Sequence, residues 1–158
     1  MLEKILTQKD CADCRFCCTF DRDDIWEVPL IDDDLARLIP GKYNLDIGYE
    51  FVNGNRVFEI SYDEKGESRC PAFRENGCGL LEDRPFDCKI WPFRAMKLGE
   101  FTVITVSPFC EKVNQLPLWE LVKFVNEELA EKIKARMEKY PGQVKDYIFG
   151  YAILKVIN

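Results

Sequence analysis

The segment Cys11–Cys18 has the sequence CADCRFCC, which places four thiols within eight residues. Cysteines separated by two residues, as Cys11, Cys14 and Cys17 are, form the local pattern by which one loop wraps a cubane iron-sulfur cluster. Zinc sites are assembled more often from two separated cysteine pairs. The segment therefore predicts a metal centre made of thiolates and favours iron over zinc.

The adjacent pair Cys17 and Cys18 adds a geometric constraint. Neighbouring side chains diverge by about 100° on a helix and point to opposite faces of a strand, so we do not expect both to bind one ion. In a helix, Cys11, Cys14 and Cys18 would form one stripe. In a loop, Cys11, Cys14 and Cys17 would converge, and Cys18 would be spare or serve a second centre. The sequence leaves both arrangements open.

A second cysteine block follows in the middle of the chain and consists of Cys70, Cys78, Cys88 and Cys110. Proline after Cys70 fits a ferredoxin-type ligand, and Gly77 permits a tight turn that would aim the Cys78 sulfur inward. Pro85 is expected to open a helical turn beneath Cys88, and a helix start favours a thiolate over a thiol.

The candidate metal ligands are therefore all eight cysteines. Among the candidates, we expect Cys11, Cys14 and Cys88 to be indispensable. At least one of three others should be replaceable, namely Cys17, Cys18 and Cys110.

Buried thiolates need hydrogen bonds or nearby cations. Four basic residues lie within four positions of a cysteine: Arg15, Arg69, Arg84 and Lys89. We expect Arg84 to contact the cofactor. The alternative is an exposed arginine that only keeps a loop soluble, since an isolated surface charge contributes little.

Composition narrows the type of metal site and the class of partner. Histidine is absent, which excludes mixed cysteine-histidine zinc sites, three-histidine catalytic sites and cysteine-histidine nucleophile pairs. The net charge of −6 and the pI near 4.9 provide no basic field for nucleic acid or anionic lipid. We expect neither nucleic acid nor membrane as a partner.

The beginning of the chain lacks the features of a secretory signal, and no apolar run approaches 18 residues. We therefore expect a cytoplasmic protein. Because the cytoplasm keeps thiols reduced, the many cysteines of this chain indicate metal binding rather than disulfides.

With 158 residues, 47% of them hydrophobic, the chain can bury one core. We predict one α+β domain over residues 1–158, with a metal-fastened cysteine core at about 11–110 and a helical and apolar part at 116–158. A short helix over Asp32–Ile39 should end at Pro40. Hairpins are expected around Asn53–Asn55 and around Gly99.

The last part of the chain predicts one long amphipathic helix that begins at Pro117 and ends before Pro141. Its core-facing stripe is expected to contain Leu118, Leu121, Val122, Val125, Leu129, Ile133 and Met137. The apolar tail over residues 147–157 is predicted to be a strand, with helix as the alternative.

The combined cysteine pattern resembles a known family of cysteine-cluster proteins described as zinc- or iron-chelating domains. The similarity covers roughly residues 11–110: Cys11–Cys18, then Cys70 with Cys78, then Arg84-Pro85-x2-Cys88-x3-Pro92. It implies a metal-chelating role, and family members are often labelled iron-sulfur oxidoreductases.

Three functions follow from these observations. The leading hypothesis is an iron-sulfur protein, with a 4Fe-4S cluster favoured, that transfers electrons or assists a redox partner. It would act as an iron-sulfur oxidoreductase or as an accessory subunit of one. The first alternative is a structural zinc module whose metal fastens loops for an interaction surface. The second is a thiol redox switch that uses Cys17 with Cys18 or Cys70 with Cys78.

Overall fold

The chain combines helices with small, mostly antiparallel sheets, so the predicted α+β class is confirmed. The computed structural model describes residues 1–23 and 28–157. Two compact units can be distinguished, and each is treated separately below. The cysteine unit is Thr7–Lys89, and the sheet-helix unit combines Met1–Leu6 with Ile90–Asn158. The single domain over 1–158 stays a prediction.

The cysteine unit is built from short elements around a small apolar core. Its helices are α1 (Gln8–Cys14), α2 (Asp33–Tyr43) and α3 (Phe86–Ile90), the last ending one residue beyond the unit. Three antiparallel pairs are formed by β1 (Thr19–Asp21) with β4 (Glu67–Arg69), β2 (Tyr49–Val52) with β3 (Asn55–Phe58), and β5 (Phe73–Arg74) with β6 (Gly77–Cys78). Cys70 and Cys78 pack against the unit's core, which includes Phe20, Ile39, Phe58 and Leu80.

The predicted hairpin around Asn53–Asn55 is confirmed, and its turn consists of two residues, because Asn55 already belongs to the second strand. Asn53 and Gly54 have φ values of 50° and 77°, and Val52 pairs directly with Asn55. Two consecutive residues with positive φ make the two-residue turn whose twist matches that of the flanking strands.

Helix α2 begins as predicted but ends later. The Asp32 side chain accepts from the N–H of Leu35 and caps the first turn. The predicted end at Pro40 is wrong, because the helix continues to Tyr43. Proline has no N–H with which to bond the carbonyl of Ala36, and the Tyr49 hydroxyl donates to that oxygen instead at 3.5 Å. A side chain from the neighbouring strand thus replaces the missing helical donor.

The sheet-helix unit contains a four-stranded sheet and one long helical segment. The strands are β7 (Phe93–Leu98), β8 (Phe101–Val106), β9 (Lys145–Asp146) and β10 (Ala152–Val156), in the order β10-β8-β7-β9. The predicted hairpin at Gly99 is confirmed as β7-β8, and the strand predicted in the tail is confirmed over β10. A short helix, α4 (Glu111–Asn114), follows β8.

The long helix is confirmed, with two corrections. It comprises α5 (Leu118–Phe124), a π-helical segment (Val125–Leu129) and α6 (Ala130–Lys139). Pro117 is extended and caps the helix rather than forming its first residue. The buried stripe includes Phe124, which packs against Phe93, and does not include Leu118, which lies at the start of α5 and is 58% exposed.

Within the described ranges, no helix is both long and apolar enough to cross a membrane.

Candidate metal centre

The first cysteine block is a helix in its first part and a turn in its second part, so it is neither the continuous helix nor the loop that the sequence left open. Thr7 opens α1 through a capping box with Asp10, so Cys11 and Cys14 lie on a helix. Arg15 then adopts φ 60° and ends the helix. Cys17 and Cys18 lie on the 3-10 turn Phe16–Cys18 that follows. Because the backbone reverses at Arg15, the helical stripe does not continue to Cys18.

Strand pairing brings the second block to the first. Thr19 of β1 faces Arg69 of β4, and the N–H of Cys70 donates a 2.8 Å hydrogen bond to the carbonyl of Cys18. Cys78 follows Gly77, whose φ is 111°. A Cβ on Gly77 would lie 3.5 Å from the Cβ of Ala12, so β6 packs closely on α1.

Cys70 and Cys78 occupy similar turns. The Cys70 sulfur accepts hydrogen bonds from the backbone N–H groups of Ala72 and Phe73, two and three residues later. The Cys78 sulfur accepts in the same way from Leu80 and Leu81. Such donors stabilise a thiolate.

Burial of the Cys70 and Cys78 sulfurs opposes the effect of these N–H donors on the thiol pKa values. It raises the pKa of Cys70 to about 12 and also raises the pKa of Cys78, whereas the N–H groups lower both pKa values. The pKa values of both thiols are therefore raised above the ordinary value.

Cys17 and Cys18 interact directly with each other. The Cys17 thiol donates a hydrogen bond to the Cys18 sulfur, which raises the pKa of Cys17 and lowers the pKa of Cys18. Burial and the neighbouring sulfurs of Cys18, Cys88 and Cys11 raise the Cys17 value further. The Arg84 guanidinium also lowers the pKa of Cys18. Burial opposes both effects, and the pKa of Cys18 is still lowered from its ordinary value.

Cys88 lies on α3, which begins at Phe86, directly after Pro85. The expectation that a helix start would favour its thiolate is wrong. Burial raises the pKa of Cys88 well above its ordinary value, and the sulfurs of Cys70, Cys78 and Cys18 raise it further. A helix of five residues has a small dipole, and the desolvation of an anion outweighs it.

Four of these thiols are all neighbours of one another. They are Cys18, Cys70, Cys78 and Cys88, and in each of their six pairs the charge of one sulfur raises the pKa of the other. We call them the tetrad. Cys17 adjoins the tetrad through Cys18 and Cys88, and Cys11 adjoins Cys17. The two sequence blocks therefore meet in space.

Arg84, which lies near Cys18 and Cys78, carries a hydrogen-bond donor that lacks an acceptor. Its Nε atom is buried, and in the described part of the chain it has no hydrogen-bond partner. Its positive charge lowers the pKa values of Cys18 and Cys78. A buried N–H without an acceptor is unfavourable by about 1–3 kcal/mol. An anionic sulfur ligand set would provide that acceptor, so the residues present fit a thiolate-bound metal group.

The turn that carries Arg84 is held by α2. The Asp83 carboxylate lies 2.5 Å from the Lys42 Nζ atom and 2.7 Å from the Tyr43 hydroxyl. The Tyr43 hydroxyl is also 2.9 Å from the carbonyl oxygen of Leu80. These contacts fix residues 80–83 between Cys78 and Arg84. Sequence reasoning missed this clamp, because no local spacing links residues 42 and 83.

The two predicted ligands that remain are Cys14 and Cys110. Cys14 is exposed at the end of α1. Cys110 is buried in the sheet-helix unit, where it precedes α4. The eight predicted ligands thus comprise six neighbouring thiols in the cysteine unit and these two residues.

The six thiols are not arranged as a cage for one ion. Over residues 1–23 and 28–157, no three cysteine or carboxylate side chains surround a point at which a single metal ion could be held. The donor chemistry is nevertheless uniform, because thiolates are the soft ligands selected by zinc and by iron-sulfur clusters.

Sequence reasoning also missed the N–H donors at Cys70 and Cys78. The signal was present, since each cysteine is followed by a residue suited to a tight turn, Pro71 or Gly79. At Gly79 a Cβ would lie 3.1 Å from the Ala72 carbonyl oxygen. The close approach of the two turns therefore requires a residue without a side chain.

A protein-family model described as CxxCxxCC, putative zinc- or iron-chelating domain, matches residues 10–111. The matched stretch contains all eight cysteines and Arg84. The family resemblance predicted from the motifs is thereby confirmed. No curated protein and no solved structure matches the chain.

Proposed function

Because the chain belongs to the CxxCxxCC family and carries its zinc- or iron-chelating domain, we propose that the cysteine unit holds an iron-sulfur cluster and exchanges electrons with a redox partner. The tetrad supplies four thiolates, which is the number that a 4Fe-4S cluster requires. Cys11 and Cys17 lie beside it. When bound, such a cluster accepts or releases single electrons.

The observation that carries the proposal is the set of donors around the tetrad. Backbone N–H groups donate to the sulfurs of Cys70 and Cys78, and Arg84 brings a positive charge together with a buried, unpartnered Nε. Hydrogen bonds to ligand sulfurs and nearby charge are the means by which a protein sets a cluster's reduction potential. Arg84 would therefore hold the anionic centre in place and raise its potential.

Burial of three tetrad sulfurs determines what the protein must do when metal binds. The sulfurs of Cys70, Cys78 and Cys88 lose hydration in this site, and desolvation opposes their ionisation. Metal binding requires thiolates, so it must release protons from these residues. Arg84 and the backbone N–H groups would then compensate the negative charge that remains.

Purification without oxygen, followed by quantification of iron, acid-labile sulfide and zinc, tests the proposal. We expect brown protein with about four iron and four sulfide per chain. Electron paramagnetic resonance of the dithionite-reduced sample should give a cluster signal. Colourless protein with stoichiometric zinc and no sulfide would contradict it.

A structural zinc site is the second candidate. The two turns after Cys70 and Cys78 also suit zinc, because paired N–H donors stabilise thiolates around one tetrahedral ion in the same way. In that case the metal would only fasten the loops. The same element analysis separates the two candidates, since zinc thiolates contain no labile sulfide.

A further inference from the structure

Two arginines lie against one aromatic ring beside the thiols, and a third arginine follows that aromatic residue in the chain. The guanidinium carbon of Arg15 lies 5.6 Å from the ring centroid of Phe73, and that of Arg69 lies 5.9 Å from it. Arg74 is the next residue after Phe73 on β5. All three arginines are exposed. We call Arg15, Arg69 and Arg74 the arginine patch.

Two of the three side chains are held in place. The Arg15 Nε donates to the carbonyl of Ala12 at 2.9 Å, and an Arg74 Nη1 atom donates to the carbonyl of Pro71 at 3.0 Å. Cation-π contact with Phe73 restrains Arg15 and Arg69 further. These guanidinium groups therefore lose little conformational entropy when they bind a partner.

The patch retains its positive charge. Within the described ranges, none of its three guanidinium groups forms an ion pair with a carboxylate, although the whole chain has a net charge of −6. The carboxylate of the nearby Asp13 is paired with Lys9. An unneutralised group of cations on an acidic protein attracts a negatively charged partner locally.

The patch borders the tetrad through its backbone. Arg69 precedes Cys70, Arg74 pairs with Gly77 directly before Cys78, and Arg15 lies two positions before Cys17. Phe16, next to Arg15, is 53% exposed. Arginine and phenylalanine are enriched in protein interfaces, where lysine and glutamate are depleted.

We infer that the arginine patch docks an acidic electron-carrier protein at the thiol site; this rests on the proposed iron-sulfur function. The arginine patch would hold a reduced partner beside the tetrad; the cluster, when bound, would accept one electron, so the partner would be oxidised and the cluster reduced without any bond forming or breaking. The local attraction steers the encounter, and Phe16 adds apolar contact. A long polyanion such as duplex DNA would meet the repulsion of the remaining acidic surface.

The test uses the iron-loaded protein and an acidic plant-type ferredoxin as the probe. Stopped-flow spectroscopy measures the second-order rate constant for electron exchange at several salt concentrations, and biolayer interferometry measures binding. The patch variant R15Q/R69Q/R74Q is compared with R37Q/K65Q/K134Q, which removes three exposed charges elsewhere and has the same net charge.

We expect the patch variant to react about tenfold more slowly at low salt and to lose most of its salt dependence, and the control to stay within about twofold of the parent. The single variant R69E provides a second measurement, because in the described structure the Arg69 guanidinium donates no hydrogen bond that folding could require. It should slow exchange about threefold or more.

Several outcomes would overturn the inference. One is equal rates for the two triple variants when both contain full iron. Others are tighter patch-dependent binding of duplex DNA than of ferredoxin, and patch-dependent binding of inorganic phosphate alone. Iron and sulfide are counted in every preparation. Parent protein without iron contradicts the proposed function, whereas full iron without patch dependence contradicts only the docking site.

Discussion

The N–H of Cys70 donates a 2.8 Å hydrogen bond to the carbonyl oxygen of Cys18. This bond extends the β1-β4 pairing by one step and joins two cysteines from different sequence blocks. Because backbone groups make the contact, it does not depend on the state of either thiol. The tetrad is therefore assembled on a strand pair and not only by its own sulfurs.

Serine substitution should separate the tetrad from the other cysteines. We expect C18S, C70S, C78S and C88S each to lose most of the bound metal, because serine is a poor soft-metal ligand. The spacing argument and the structure disagree about Cys14: the spacing predicts that it is indispensable, whereas its exposure predicts that C14S keeps the metal. Metal content per folded chain decides the question. Full metal content in C70S or C88S would contradict the assignment of the tetrad cysteines as metal ligands.

Removing the metal should destabilise the protein. Bound metal stabilises only the folded state, in which residues 18 and 88 are neighbours. We expect chelation to reduce the free energy of unfolding by about 2 kcal/mol or more, which for a chain of this length lowers Tm by about 4–8 °C. Calorimetry before and after removal, with metal content verified, measures the change. An unchanged Tm would mean that the core is sufficient on its own.

Gly79→Ala should damage the Cys78 turn. The new Cβ would lie 3.0 Å from the Cγ of Arg74 and 3.1 Å from the carbonyl oxygen of Ala72, and the latter is backbone that cannot move freely. We expect a loss of about 1–3 kcal/mol of stability together with reduced metal content.

Gly41→Ala is the matched control for Gly79→Ala. Its Cβ would meet nothing within 4 Å, and it lies inside α2, where alanine is favoured by up to about 1 kcal/mol. Equal behaviour of the two variants in thermal melts would contradict the account of Gly79.

Tyr49→Phe tests the donor that replaces the missing N–H of Pro40. Removing the hydroxyl should reduce stability by about 0.5–1.5 kcal/mol, because the Ala36 carbonyl loses its partner. In a Pro40→Ala background the same substitution should cost less, since the substituted residue has a backbone N–H that can donate to that carbonyl. A double-mutant cycle from urea unfolding measures the coupling. Zero coupling would contradict the replacement.

Acid should weaken the clamp at Asp83. The Lys42 ammonium and the Tyr43 hydroxyl hold the pKa of Asp83 below its ordinary value in the folded state. Its contribution to stability is therefore complete above the unfolded pKa of about 3.9 and is lost as the pH falls through the lower folded pKa. Asp83→Asn should remove this part of the pH dependence below about pH 4.

The matched control is Asp146→Asn, which removes an exposed carboxylate from β9. It controls for the loss of one exposed carboxylate charge. Stability measured by urea unfolding between about pH 3 and 6 makes the comparison. Identical profiles for the parent and Asp83→Asn would exclude the clamp as the source of the acid sensitivity.

The elements that could be predicted are those encoded by neighbours in sequence. Asn53-Gly54 determines its own turn through two positive φ values, and the unbroken run of β-branched residues in β8 determines a strand. Pro40 misled the prediction because its defect is repaired by Tyr49, which lies in a different element. The π segment, Val125–Leu129, likewise has no local signature. The periodicity assigned Leu118 to the buried stripe, although it is the first residue of α5 and is exposed.

The candidate site was predictable in its chemistry and less so in its geometry. The absence of histidine and the cysteine spacing indicated a thiolate site, and Arg84 was identified from its position beside Cys88. Which of Cys17 and Cys18 joins the others depends on the left-handed turn at Arg15. That conformation, like the N–H groups aimed at Cys70 and Cys78, is a property of the folded backbone.

The tetrad has a consequence for the protein's synthesis. Its members extend from Cys18 to Cys88, and a ribosome that adds about 5–20 residues per second needs about 4–14 s to pass from the first to the last. Throughout that interval the early thiols emerge without their partners. The centre can therefore be filled only after most of the chain has been translated, and the nascent cysteines must be kept from oxidising while they wait.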